Sequence, residues 1–428
     1  MSFSHFKLND AILKAISDAG YSTPTPIQEK AIPIVLSGKD VIAAAQTGTG
    51  KTASFVLPLL QRLNNEQNKR PKHIRALILT PTRELAEQVH RNVVKYAIHT
   101  NISSLAVYGG VDSEPQKDAL IDGVDILVAT PGRLLDLAYQ RSIRFGDLEA
   151  LVLDEADRML DMGFSDELDK VLDRLPTHRQ TLLFSATLSS HIHSLAEVAV
   201  HNAVEVSVAQ NKETAPKIKQ YLIPVDKDMK SALLSHLITE HEWTQALIFI
   251  QTKHGAAKLV TQLAKRGIAA EAFHSGRSQA VRTQLLADFK TGKLAFLVAT
   301  GIAARGIDID ELPRVVNYDL PDEPDDYIHR IGRTGRAGAT GEAVSLVSKD
   351  DFRRLCDIET KLNHLIQREP LEAFTPRKPL PVSILNYVPK RANKMRADSR
   401  RNNKRPQVES AKKTANRKPR SSDNPWGK

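Results

Sequence analysis

The chain has 428 residues, 41% of them hydrophobic, with a formal net charge of +10. That length suggests two or three domains of about 150 residues each. No stretch nears the roughly 18 to 20 uninterrupted apolar residues of a membrane span, and Met1-Ser2-Phe3-Ser4-His5 lacks the basic-then-apolar pattern of a leader, so a cytoplasmic location is expected. The single cysteine, Cys356, excludes an intramolecular disulfide, and no Cys/His spacing typical of a metal site is present. The charge is unevenly placed: residues 390–428 hold 14 Lys and Arg against 3 Asp and Glu, a net of +11, which leaves −1 for residues 1–389. This tail is rich in Asn, Ser and Pro and nearly empty of aliphatics, so it is expected to be disordered and to act as a polyanion-binding arm.

In chain order, the first informative segment is Gly20-Tyr21-Ser22-Thr23-Pro24-Thr25-Pro26-Ile27-Gln28, a proline-rich turn before a helix. A glutamine amide donates and accepts at once, as adenine N6 and N7 require, and Tyr21 is placed to stack. Next comes Ala45-Gln46-Thr47-Gly48-Thr49-Gly50-Lys51-Thr52, a phosphate-loop pattern. Its glycines let backbone N–H groups close around phosphate oxygens, Lys51 reaches the terminal phosphates, and Thr52 ligates Mg²⁺.

The apolar strings Ala76-Leu77-Ile78-Leu79 and Leu127-Val128-Ala129-Thr130 reappear as Ala246-Leu247-Ile248-Phe249 and Leu297-Val298-Ala299-Thr300, both offset by 170 residues. A shared offset favours a tandem repeat of one α/β domain. Strand-like runs alternating with helical stretches such as 83–98 and 280–290 are the pattern of doubly wound parallel sheets.

After Ala150-Leu151-Val152-Leu153 comes Asp154-Glu155-Ala156-Asp157. Asp154, at the end of a buried strand, holds the same Mg²⁺ from the other side. Glu155 is then the group to orient and deprotonate the attacking water, and Asp157 has no metal duty. With the phosphate loop, this describes hydrolysis of a nucleoside triphosphate.

Only the first copy has that loop, since position 221 is a tyrosine. Ligands in open α/β sheets sit beyond the carboxyl ends of the strands, so the second copy must contribute from across a cleft. It offers His329-Arg330-Ile331-Gly332-Arg333-Thr334-Gly335-Arg336, and an arginine finger can add about 10³ to 10⁵ in rate to phosphoryl transfer.

Candidates for contact with nucleic acid lie just past strand ends: Pro81, Thr82, Arg83, Gly110, Thr130 and Arg133 in the first copy, and Gly276, Arg277, Gln279, Arg282 and Thr300 in the second. Short hydroxyls, backbone donors and single arginines suit phosphate and sugar oxygens, so binding should be sequence-independent.

Asp-Glu-Ala-Asp spells the signature of the DEAD-box ATP-dependent RNA helicases. The chain resembles that family from Phe3 to about Arg368, and among bacterial subgroups it looks most like the RhlE type. The resemblance implies two RecA-like domains, at 1–208 and 220–370, joined by a linker at 209–219 and followed by an extension at 371–428 that ends in the basic tail. It implies ATP and Mg²⁺ as ligands, Gln28 as the ATP-recognising residue with Phe3 as the upstream aromatic, Arg333 and Arg336 as the fingers, and Asp308 on the ribose. It pairs Ser185 and Thr187 with the acidic motif, linking hydrolysis to strand separation. It favours RNA over DNA, as single strands and short duplexes, and suggests ribosomal precursors or the RNA decay machinery as partners of a monomer. One position departs from the family: Thr300-Gly301 stands where many members have Thr-Asp. Two other readings stay open, an ATP-gated RNA clamp without useful unwinding and a phosphate-loop kinase or transport ATPase.

Overall fold

The computed structural model describes residues 2–45, 49–64, 72–207, 218–304, 312–335 and 341–387. Strands β1 (Val41–Ala44), β2 (Ala76–Leu79), β3 (Ser104–Val107), β4 (Ile126–Ala129), β5 (Ala150–Leu153), β6 (Gln180–Ser185) and β7 (Val204–Ser207) form a parallel sheet in the order β3-β4-β2-β5-β6-β1-β7. Strands β8 (Ile218–Pro224), β9 (Ala246–Ile250), β10 (Ala270–Phe273), β11 (Phe296–Thr300), β12 (Arg314–Asn317), β13 (Gly341–Val347) and β14 (Gln367–Arg368) form a second, in the order β10-β11-β9-β12-β13-β8-β14. Adding seven to each strand number of the first sheet gives the second, so the repeat inferred from two apolar strings extends over the whole sheet. The 170-residue offset does not: β6 and β13 begin 161 residues apart, at 180 and 341. Loop lengths drifted while strand order held.

Strands β1, β2, β4 and β5 of the first sheet are uninterrupted apolar runs because helices cover both faces. On one face lie the helices Lys51–Leu63 and Arg83–Ala97, which bury Phe55, Val56, Val89 and Val93; on the other lie Pro131–Tyr139, Ala156–Asp161, Ser165–Leu172 and Ser190–Ala199, which bury Leu134, Met159, Leu168 and Ile192. Thr82 caps the helix Arg83–Ala97, its hydroxyl accepting from Leu85 N at 3.3 Å. Leu85, Val89, Val93 and Tyr96 recur at helical spacing and are all buried. Each such side chain contributes about 1.5 to 3 kcal/mol by leaving water, so Val93→Asp would break the helix from its sheet.

Packing in the second domain continues past residue 370. Leu371 and Phe374 lie against its core and Leu380 is buried in it. Arg368 donates to the carbonyls of Leu380 (3.1 Å) and Pro381 (2.6 Å) and to Ser383 Oγ (3.0 Å), while Arg377 pairs with Asp226 and Asp228. The extension therefore starts as a strap tied to the domain. The basic tail from 390 lies outside the described residues, as does most of the expected linker. Among the described residues no helix is long and apolar enough to cross a membrane.

Candidate active site

The carboxyl edge of the first sheet divides by strand order. β1, β5 and β6 present Ala45, Asp154 and Ser185 on one side; β2, β4 and β3 lead into Thr80, Thr130 and Tyr108 on the other. The phosphate-loop and acidic motifs thus meet on one half, and the nucleic-acid candidates on the other.

On the first half is a cavity of about 420 Å³ lined by Phe3, Tyr21, Thr25, Gln28, Gly50, Lys51, Thr52, Asp154 and Glu155, and by Arg333 of the second domain. That size suits a small-molecule ligand. Thr25 Oγ1, Lys51 Nζ, Gln88 Oε1 and Asp154 Oδ1 line it, are buried, and have no hydrogen-bond partner among the described residues. Such atoms cost free energy unless something fills the cavity. Gly50 turns the loop into the helix Lys51–Leu63 with φ of 87°, and a Cβ there would strike Gln28 Nε2 at 2.5 Å, so only glycine fits.

Burial pushes the Asp154 carboxyl up to about 6, against the pull of Lys51. Burial also pushes Glu155 up, but Arg158, Lys51, Arg333 and His329 together outweigh it and hold the group below its ordinary value. Arg158 Nη1 donates to Glu155 Oε2 at 2.5 Å. Glu155 sits in the left-handed region (φ 53°, ψ 51°) at the start of Ala156–Asp161, a conformation that costs a non-glycine residue about 1 to 2 kcal/mol and turns its side chain toward the cavity that it lines. The two neighbouring carboxyls are therefore pushed in opposite directions by their surroundings, Asp154 up by burial and Glu155 down by the cations around it.

Asp157 Oδ2 accepts from Ala186 N (2.9 Å), Thr187 N (3.0 Å) and Thr187 Oγ1 (3.2 Å), and Ser185 Oγ donates to Thr187 O at 2.6 Å. The three residues expected to couple are thus one hydrogen-bonded unit between β5 and β6. Gln28 is buried with its amide engaged at both ends: Oε1 accepts from Thr25 N (2.9 Å) and Nε2 donates to Gly50 O (3.1 Å). It ties the N-terminal motif to the phosphate loop, leaving one further donor and one acceptor site for a base. Tyr21 stays half exposed beside Tyr96, and Phe3 packs edge-on to Phe6. Thr47, Gly48, Asp308 and Arg336 lie outside the described residues.

On the other half, Arg83 and Gly110 depend on each other. Gly110 has φ of 75°, and a Cβ there would sit 1.8 Å from Arg83 Nη2. Arg133 Nη2 donates to Val111 O at 2.7 Å, so the loop after β3 rests on both arginines. Pro81 and Thr82 are buried at the start of the helix, and Thr130 is buried just before the helix Pro131–Tyr139. In the second domain Gly276 N donates to His274 Nδ1, Arg277 lies at the surface near Glu271, and Thr300 ends β11. Gln279 and Arg282, also expected to face nucleic acid, lie at the seam between the domains. Arg282 Nη2 pairs with Glu84 Oε1 at 2.8 Å with both side chains 7% exposed, and Gln279 Nε2 donates to the same oxygen at 3.3 Å. Burial in that seam lets a carboxylate hold them more strongly than solvent would. A Cβ on Gly301 would meet Arg330 Nη2 at 3.2 Å, so the residue missing a carboxylate lies beside that guanidinium.

Sequence reasoning missed Glu84, Glu87 and Arg158. Glu84 directly follows the Thr82-Arg83 candidates, but its partner lies 198 residues away and no local pattern announces it.

Two RecA-like domains with a phosphate loop in one, an arginine from the other and a buried ion pair between them define a two-domain nucleotide hydrolase. Residues 25–195 match the DEAD/DEAH box helicase family and residues 229–338 the helicase conserved C-terminal domain. The ATP-dependent RNA helicase CshA of Listeria monocytogenes is 42% identical over 373 residues, covering 87% of this chain and 71% of its own. Dbp5 of S. cerevisiae bound to RNA and ADP BeF3 superimposes with a TM-score of 0.76 at 34% identity, covering 86% of this chain and 95% of its own. A DEAD box protein from the hyperthermophile Methanococcus jannaschii, 36% identical and covering 86% and 99%, gives 0.51, so sequence distance does not account for the gap between the two scores. The chain belongs to the DEAD-box family of ATP-dependent RNA helicases.

Proposed function

We propose that this chain closes its two domains on ATP and RNA together, hydrolyses ATP in the closed form, and so separates short duplexes or remodels RNA-protein complexes through contacts to the RNA backbone. The observation that carries this reading is the reach of Arg333 into the cavity that holds Lys51, Asp154 and Glu155. The likeness to Dbp5 with RNA and ADP BeF3 supports the closed arrangement.

In this reading the glycine-rich turn and Lys51 hold the phosphates, Glu155 takes a proton from the attacking water, and Arg333, with Arg336, meets charge developing on the transferred phosphoryl group. A buried, partnerless Asp154 Oδ1 near Thr52 fits Mg²⁺, which when bound neutralises charge on the phosphate oxygens. Asp308 contacts the ribose. Asp157, held by Thr187 and the backbone of Ala186, passes changes at Glu155 to the loop after β6. RNA lies along Pro81, Thr82, Arg83, Gly110, Thr130, Arg133, Gly276, Arg277 and Thr300, with the basic tail adding non-specific affinity. The division at 208, 220 and 370, the RhlE-like grouping, a cytoplasmic monomeric state, and ribosomal precursors or decay machinery as partners belong to the same proposal.

Steady-state ATP hydrolysis with and without unstructured RNA, for the parent chain and Glu155→Gln, tests it. Strong stimulation that vanishes in the variant is expected; hydrolysis indifferent to RNA would refute the coupling and favour a plain ATPase.

A further inference from the structure

The helix Arg83–Ala97 lines the nucleotide cavity with a stripe at helical spacing: Leu85, Gln88, Val89, Asn92 and Tyr96. Three of these, Leu85, Val89 and Tyr96, are what an amphipathic helix facing a partly apolar cavity would show. Gln88 differs, because its Oε1 is buried and has no hydrogen-bond partner among the described residues. A buried carbonyl oxygen left without a hydrogen bond costs about 1 to 3 kcal/mol.

We propose that Gln88 is a nucleotide-reading residue, its side-chain oxygen accepting a hydrogen bond from the nucleoside part of the bound nucleotide. The inference rests on the cavity being the ATP site. An acceptor selects the partner's chemistry. Phosphate oxygens at neutral pH offer no proton, whereas a nucleoside offers the exocyclic amino group and the ribose hydroxyls. Phe3, Tyr21, Ile16 and Tyr96 make part of the cavity wall apolar and aromatic, which suits a base and its sugar and not a triphosphate. Gln28 leaves that role partly open, since its amide is already engaged at Thr25 N and Gly50 O.

Gln88 is also one residue from Glu87 and four from Glu84, which face Gln279 and Arg282 of the second domain. A nucleoside hydrogen-bonded to Gln88 therefore fixes the position of the helix that carries the interdomain seam.

The test is equilibrium binding, by calorimetry on the full chain without RNA, of ADP, purine riboside diphosphate, 2′-deoxy-ADP and 3′-deoxy-ADP to the parent chain and to Gln88→Met. The parent should lose about three- to ten-fold in affinity with the one analogue that lacks the donor Gln88 accepts from. Gln88→Met should bind ADP weaker by a similar factor and should no longer distinguish ADP from that analogue; which analogue it is separates amino group from hydroxyl. Equal binding of all four by the parent, or unchanged discrimination by the variant, overturns the proposal and assigns the site to water. If the thermal melt shows that Gln88→Met has not folded, Gln88→Ala takes its place in the same comparison, with the same outcomes expected. Lys51→Ala serves as the separate check: it should weaken all four diphosphates together, and parent-like binding would sink the assignment of the cavity itself.

Discussion

Glu84→Gln should stop the domains from closing without unfolding either. In the structure Arg282 sits over the Phe273 ring at 4.9 Å, shares a 2.8 Å ion pair with Glu84, and is as buried as its partner. Burial lowers the Arg282 pKa and Glu84 opposes that shift, so the carboxylate is what makes an interdomain guanidinium tolerable. Removing one member of a buried pair typically costs about 3 to 5 kcal/mol, because the other charge is left desolvated. Here the molecule has an escape, since the domains can part and return Arg282 to water. The penalty then falls on closing and not on folding. Taking about 3 kcal/mol, the closed population under RNA and a non-hydrolysable ATP analogue should fall by roughly 150-fold relative to open. Energy transfer between dyes on one engineered cysteine per domain reads this directly, because the native Cys356 is buried. RNA-stimulated hydrolysis should fall with the closed fraction, while ATP binding without RNA and the melting temperature stay near parent values. Arg282→Met combined with Glu84→Gln should recover part of the loss, as expected for residues in contact. A closed fraction unchanged in Glu84→Gln would refute the seam as the element that holds the domains together.

Asp154→Asn, by contrast, should stabilise the ligand-free protein at pH 7 to 8. The folded pKa of about 6 lies above the unfolded value of 3.8, so ionised Asp154 destabilises the fold above pH 6 by on the order of 1 to 3 kcal/mol, and the advantage of the amide should disappear below about pH 4; melts in EDTA that show no pH-dependent difference would contradict this. Gly110→Ala must abandon its positive φ or displace Arg83, and should weaken RNA binding by about tenfold in anisotropy titrations with ATP affinity untouched, the order expected for one charge-assisted contact. Deleting residues 390–428 should flatten the slope of log affinity against log salt, because fewer counterions are released; an unchanged slope would mean that the tail does not touch RNA.

The strands, their parallel pairing and the repeat were legible because buried parallel strands are written as continuous apolar runs and the two halves kept their order. The phosphate loop and acidic motif were legible because chemistry fixes residue type at close spacing. Asp157, Ser185 and Thr187 were named together only through family resemblance, and the hydrogen bonds explain why they must be those residues. What was illegible is what depends on one domain meeting another. Gln279 and Arg282 carry the signature of phosphate contacts, short of the one fact that a carboxylate from residue 84 waits opposite. The strap at 371–387 was missed for a related reason: its hold on the domain comes from Arg368 and Arg377 gripping scattered carbonyls and acids, which leaves no periodic trace.

The helix Arg83–Ala97 touches the expected RNA path, the interdomain seam and the nucleotide cavity at once. Its first residue, Arg83, occupies the space beside Gly110 in the proposed RNA path. Glu84 and Glu87 face the second domain, and Tyr108, which precedes Gly109-Gly110, donates to Glu87 at 2.6 Å. Gln88, Asn92 and Tyr96 line the nucleotide cavity. At 1.5 Å rise per residue, the thirteen steps from Arg83 to Tyr96 cover about 20 Å, and another side of the rod is locked into the core by Ala86 and Val93. A rigid element of that length cannot satisfy one of the three contacts in a position that spoils the others. RNA that orders Arg83 therefore favours the same helix position as the closed seam and the bound nucleotide, and the coupling between RNA and ATP must act equally in both directions. The reciprocity is measurable: the factor by which RNA tightens binding of a non-hydrolysable ATP analogue should equal the factor by which that analogue tightens RNA, and both should shrink together in Glu84→Gln. A coupling factor undiminished in Glu84→Gln would mean that the two ligands are not coupled through this helix.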